Sequence, residues 1–181
     1  MQFLLKLSRW IDRMSEALGW LTIGLTLVMV AVGAYNAITR YIGRFIQVNL
    51  SSNVYIEVQW YLFSLIFLLG AGYVLKRNEH VRVDILYSRF SKKGKAWIDL
   101  LGGLLLMLPL CVVILGYSRQ FVINSWRVLE QSSNASGLPV YPIKSAILVA
   151  FVLLALQGVS EVIKRVAILL DYESTTSEVS Q

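Results

Sequence analysis

The chain has 181 residues, 56% of them hydrophobic and only 15% charged, with 17 Lys and Arg against 11 Asp and Glu for a net charge of +6. Its apolar residues gather in runs of about 18 or more, long enough to cross a bilayer as helices and too long for a core strand, which excludes an ordinary soluble domain. Without a basic patch interleaved with exposed aromatics, the positive balance points to loops facing anionic lipid and away from nucleic acid.

In chain order, residues 1–16 place Phe3, Leu7, Trp10 and Met14 on one helical stripe between Lys6, Arg9, Asp12, Arg13 and Glu16. That pattern suits an interfacial helix with Trp10 at headgroup depth, or equally an N-terminal extension of the first span. The span itself is expected over 18–38. It is too long for a signal-peptide core, although Ala31-Val32-Gly33 loosely resembles a cleavage site, so an uncleaved helix is expected. Arg40 and Arg44 bracket its far end, and the polar, Asn/Ser-rich residues 46–55 read as a loop.

The second span is expected over 57–75. Glu57 suits the positive end of the helix dipole, Trp60 and Tyr61 suit the interfacial aromatic belt, and Gly70-Ala71-Gly72 permits a close helix contact. The linker 76–95 is strongly basic. Val81 to Ile85 alternates like a strand, but a lone strand beside a membrane leaves its backbone unpaired. As a helix, the linker groups Val83, Leu86, Tyr87 and Phe90 on one face, so a short amphipathic surface helix is expected.

The third span, over 97–117, contains Pro109 near its middle, where a kink is expected. Residues 119–142 form an exposed arm, helical at first to about Glu130 and broken by Gly137, Pro139 and Pro142. The fourth span covers 143–163, with Ala146 and Ala150 as a small-residue step for helix contact. The single cysteine, Cys111, sits within an apolar run and can form no internal disulfide.

Most Lys and Arg fall in the N-terminal segment, in the linker 76–95 and after the fourth span. The positive-inside rule then puts both termini in the cytoplasm. The expected fold is an all-α integral membrane protein: four transmembrane helices with additional interfacial amphipathic helices, in one domain over 1–170. The acidic, Ser/Thr-rich tail 171–181 is expected to be disordered.

No catalytic, cofactor or metal site is expected. His80 is the only histidine, so paired-histidine haem ligation is excluded and a histidine zinc site disfavoured. Glu57, Asp99 and Glu161 all fall at span ends, where charges act as depth anchors, and none falls at mid-depth where charges mark substrate or ion pathways. Trp10, Arg40, Arg44, Lys92, Lys93, Trp97 and Trp126 are read as membrane anchors. Two rival classes, a stand-alone four-span exporter and a membrane anchor of a redox complex, need a mid-membrane carboxylate or paired haem ligands.

Several segments, taken together, carry a family resemblance: Glu57-Val58-Gln59-Trp60-Tyr61-Leu62-Phe63, Phe67 to Tyr73, His80-Val81-Arg82-Val83-Asp84, and Trp97 to Gly102. Ser125-Trp126, Glu130, Gly137-Leu138-Pro139 and Lys144 continue it. In their order and spacing the chain resembles the small, DctQ-type membrane subunit of the tripartite ATP-independent periplasmic (TRAP) transporters, and among their branches the mannitol/chloroaromatic type. The resemblance implies a bacterial inner-membrane scaffold, without cofactor or catalytic site. Its implied partners are a large multi-span subunit, which moves sodium and an organic acid by an elevator mechanism, and a periplasmic substrate-binding protein. On that reading Glu57, Gln59 and Trp60 at one end, and His80, Arg82 and Asp84 at the other, either shape the contact with the large subunit or only orient this subunit's own helices.

Overall fold

The computed structural model describes residues 1–47, 52–79, 90–134 and 137–170. The elements are α1 (Gln2–Ile46), α2 (Asn53–Arg77), α3 (Lys92–Gly102), a π-turn over Gly103–Met107, α4 (Leu108–Arg127) and α5 (Tyr141–Leu169). Among the described residues, four helical stretches are long and apolar enough to cross a membrane, with α3, the π-turn and α4 forming one of them. The protein is a multi-pass, all-helical membrane protein.

The interior is small and polar, and the large apolar side chains face outward. Buried positions include Ser8, Ser15, Thr22, Ser125, Gln157 and Ser160, whereas Trp20, Leu27, Leu106 and Val112 are exposed. In a bilayer, lipid solvates Leu as well as a protein core does, so helices associate through close packing and interhelical hydrogen bonds. α5 is the hub, packing against α1, α2 and the α3–α4 helix.

Two glycines set the closest approaches between helices. A Cβ on Gly19 would stand 2.4 Å from the Tyr73 ring, and one on Gly158 would stand 2.5 Å from Met107 Cε. The Gly70–Gly72 segment, expected to be the tight contact, is looser: a Cβ at Gly72 would find its nearest neighbour, Ser15 Oγ, at an ordinary 3.5 Å.

Residues 1–16 are the extension of the first span, within a single helix of 45 residues. The Phe3–Leu7–Trp10–Met14 stripe stays toward the outside, and the opposite, buried face is Ser8, Ile11 and Ser15, where the small serine side chains let α5 come close. The loop expected over 46–55 is shorter, since α2 begins at Asn53, where the Ser52 side chain accepts the Val54 N–H at 3.2 Å. At Pro109 the helix remains continuous. The distortion is displaced into the preceding π-turn, where Leu108 N–H bonds the Gly103 carbonyl, five residues back. The expected linker helix, including Val83, Leu86 and Tyr87, and the expected disordered tail lie outside the described residues.

Candidate functional site: the two polar ends of the bundle

The first half of α1 and the second half of α5 meet at what we term the terminal end. Gln157, fully buried on α5, accepts a hydrogen bond from Ser15 Oγ at 2.7 Å and donates to Asp12 at 3.0 Å and to Glu161 at 3.3 Å. Its carbonyl and both amide hydrogens are thereby used. One turn on, Ser160 and Ser8 share a 2.7 Å hydroxyl contact, and Lys164 donates to Asp12 at 2.9 Å and to Glu161 at 2.7 Å.

The α3 helix joins this cluster through Arg165. Its Nε stands 3.2 Å from Asp99, an ion pair whose angle is too poor for a hydrogen bond, and its Nη2 donates to Asn78 at 3.2 Å. Beside it, Glu16 pairs with Lys76 and, at 3.3 Å, with Arg77, whose guanidinium lies 5.2 Å from the centre of the Tyr73 ring. Asp99, expected to be an anchor, is thus an interhelical partner as well, whereas Glu161 orients Gln157, Lys164 and Arg165 within α5.

At the opposite, loop end, Glu57 organises the chain between α4 and α5. Although ionisable, it is only 3% exposed. One carboxylate oxygen accepts from Ser132 Oγ and, at 2.7 Å, from Asn134 Nδ2, while the other accepts the Leu138 backbone N–H at 2.6 Å. Tyr61, one turn along α2, donates to the Pro139 carbonyl at 3.0 Å. The loop closes on itself through Ser132 N–H to Leu138 O at 3.1 Å and Val140 N–H to Glu130 O at 2.8 Å.

Two further contacts tie the loop to the start of α5. Glu130 accepts from Lys144 and, at 2.7 Å, from Ser125; the Lys144 hydrogen bond, above all, holds its carboxyl below the usual glutamate range. Trp126 Nε1 donates to Ser145 at 2.7 Å, and its ring packs edge-on against Tyr141. Leu129 takes up the turn out of α4 in a left-handed conformation, φ 46°, unusual for a branched side chain.

The expected site residues do not converge. Glu57 points into the loop, Gln59 packs toward Gly33 of α1, and Trp60 is 63% exposed on the outer flank of α2, followed along that flank by Phe63 and Phe67. His80, Arg82 and Asp84 lie outside the described residues, as does the side chain of Lys92. Trp10, Trp97 and Lys93 are exposed, while Arg40 and Arg44 line a crevice between α1 and α2. Trp126 is half-exposed and also latches α5.

Sequence reasoning missed Ser15, Gln157, Ser160 and Lys164 and the partner role of Asp12. The signal was present: Ser8, Asp12, Ser15 and Gly19 recur every three or four residues, and so do Gln157, Ser160 and Lys164, with Glu161 four residues after Gln157.

With that arrangement described, the family profile for "Tripartite ATP-independent periplasmic transporters, DctQ component" matches residues 29–167. The chain belongs to the DctQ family. It is a small membrane component of a TRAP transporter. Neither the curated proteins nor the solved structures compared give a match. The matched range covers the loop-end knot and most of the α5 cluster, whereas Ser8, Asp12 and Ser15 precede it. In this DctQ component the polar residues join helices and loop to one another, leaving the apolar flanks for other contacts.

Proposed function

We propose that this chain is the static subunit of its transporter. It braces a larger, elevator-type membrane subunit during sodium-coupled uptake of an organic acid delivered by a periplasmic binding protein. It lies in a bacterial inner membrane with both termini in the cytoplasm.

One observation carries this reading. Both ends of the bundle are locked by buried polar contacts, while the outer flank of α2 presents Trp60, Phe63 and Phe67 with no covering element among the described residues. Beside that flank, Phe63, Phe67, Ile143 and Ile147 line a groove of about 320 Å³. Moving a charge to mid-bilayer costs about 2.5–3.5 kcal/mol on insertion scales, so charged residues at both ends resist vertical displacement. A neighbour that slides against such a body has a fixed reference. The large subunit meets the Trp60–Phe67 flank in this proposal, with His80, Arg82 and Asp84 contributing at the cytoplasmic end. Trp10, Trp97, Lys92 and Lys93 hold the depth.

The test is co-purification and reconstitution. With the large subunit and binding protein present, the wild-type chain supports uptake; in proteoliposomes alone it supports none. Trp60→Ala/Phe63→Ala/Phe67→Ala loses the large subunit during purification but keeps its own helix content. Uptake by this chain alone, or unchanged co-purification of the triple variant, refutes the bracing role.

A further inference from the structure

We propose that the turn leaving α4, Arg127-Val128-Leu129, is a docking surface for the soluble binding protein, and that it fits an apolar recess with a carboxylate at its rim. The inference deepens the transport function proposed above and rests on it, because that reading supplies both the outer face and the soluble partner.

The backbone gives the first argument. Leu129 N–H bonds the Trp126 carbonyl at 3.3 Å and Glu130 N–H bonds the Ser125 carbonyl at 3.1 Å, the pair of bonds that ends a helix through one left-handed residue. Glycine is favoured at that position, because any Cβ there costs free energy. Leu129 holds it instead, with φ 46° and its side chain largely in the open, 57% exposed. The side-chain contact that accompanies such a turn is made here by Ser125 and Glu130, at 2.7 Å, so the turn closes without the leucine side chain. Backbone strain kept at an exposed position points to a use outside the chain.

Depth gives the second. Val128 follows Arg119, the first charge beyond the apolar run of α4, by nine residues, or about 13 Å of helix. A headgroup layer is about 5–8 Å thick, so the turn stands in water past the lipid. Val128 is also exposed, at 72%. Lipid cannot cover this adjoining apolar pair, and a protein surface can.

Charge gives the third. Arg127 is exposed and has no carboxylate partner among the described residues, whereas Glu130, on the other side of the pair, is already held by Lys144. The surface is therefore apolar with one unpaired positive charge, which complements a carboxylate beside an apolar recess. Its backbone is fixed before contact by the two bonds that close the turn, so docking needs little further ordering of the chain.

The experiment titrates the transporter's purified binding protein onto the complex of this chain with its large subunit, held in lipid nanodiscs. Leu129→Gly keeps the turn and removes the side chain. It should unfold at a temperature no lower than wild type and bind the soluble protein about tenfold more weakly, as expected for one apolar side chain left uncovered. Arg127→Gln should weaken binding about threefold at low salt, chiefly by slowing association, and lose most of that difference at high salt. Unchanged affinity of Leu129→Gly, while uptake by the wild-type complex still requires the binding protein, overturns the docking surface and leaves the transport reading standing. A lower unfolding temperature for Leu129→Gly overturns it too, since the leucine would then serve the fold. Loss of the large subunit from that variant during purification would assign the turn to the large subunit instead. Uptake that proceeds without the binding protein refutes the transport reading and this inference together.

Discussion

The terminal end joins helix to helix, chiefly by bonds between side chains, whereas at the loop end one carboxylate holds a loop largely by neutral donors and a backbone N–H. Gln157 and Ser160 connect α5 to α1, and Arg165 connects it to α3. Glu57, by contrast, takes Ser132, Asn134 and the Leu138 N–H. The first arrangement depends on the rotational register of three helices at once. The second depends on one residue and a short segment that wraps it. Losses at the terminal end should therefore lower the stability of the whole bundle, and losses at the loop end should stay local.

The largest expected effect comes from Arg165→Met, which takes the cation from Asp99 and weakens the group around Glu161. With its side chain 19% exposed, the cost should be about 2–3 kcal/mol, below that of breaking a fully buried pair. Gln157→Leu should follow at about 1–2 kcal/mol, since it removes all three links of Gln157 and strands Ser15, while Asp12 and Glu161 keep Lys164 and the added apolar side chain is one that a membrane interior favours. Unfolding by heat or SDS in detergent measures both. A value near zero for each would mean that the terminal cluster is not what holds α1 to α5.

Glu57→Gln should leave global unfolding nearly unchanged while speeding proteolysis and amide exchange across residues 130–140. An equal drop in global stability would erase the contrast between the ends. The smallest effect concerns pH. The carboxyl of Glu130 is held below its ordinary value of about 4.3 chiefly by Lys144, so ionisation is favoured in the folded state. The stabilisation is complete above that ordinary value and is lost as pH falls through the lower, folded value. Exchange at the Val140 amide should therefore rise only in acid, and Glu130→Gln should remove that dependence.

These contrasts also explain what was legible in the sequence. Long apolar runs revealed the membrane helices because length and hydropathy suffice for them, and Glu57 stood out as a carboxylate at the edge of such a run, although α2 starts four residues earlier and the group serves the loop instead of the helix dipole. The cluster at Gln157 was less visible because its members lie 142 to 152 residues apart in the chain and acquire meaning only when α1 and α5 pack. Trp60 shows the opposite limit. Its place on an outer flank follows from the rotation of α2, which the weak amphipathic pattern of that helix does not specify.

The π-turn at Gly103–Met107 has a consequence for how this span can change. It accommodates a wider turn than a regular helix has, and the contacts beyond it, at Cys111, Val122 and Ser125, are set with that extra residue counted in. Deleting one residue from that turn would let it close as regular helix with the downstream faces nearly kept, because the wider turn absorbs the extra residue. Deleting one between Leu108 and Leu110 would instead swing everything downstream by about 100°, one residue's rotation in an α-helix. Cys111 would then turn away from the interior and the Trp126 latch would miss Ser145. The π-turn is therefore a place where this span can lose a residue and keep its contacts.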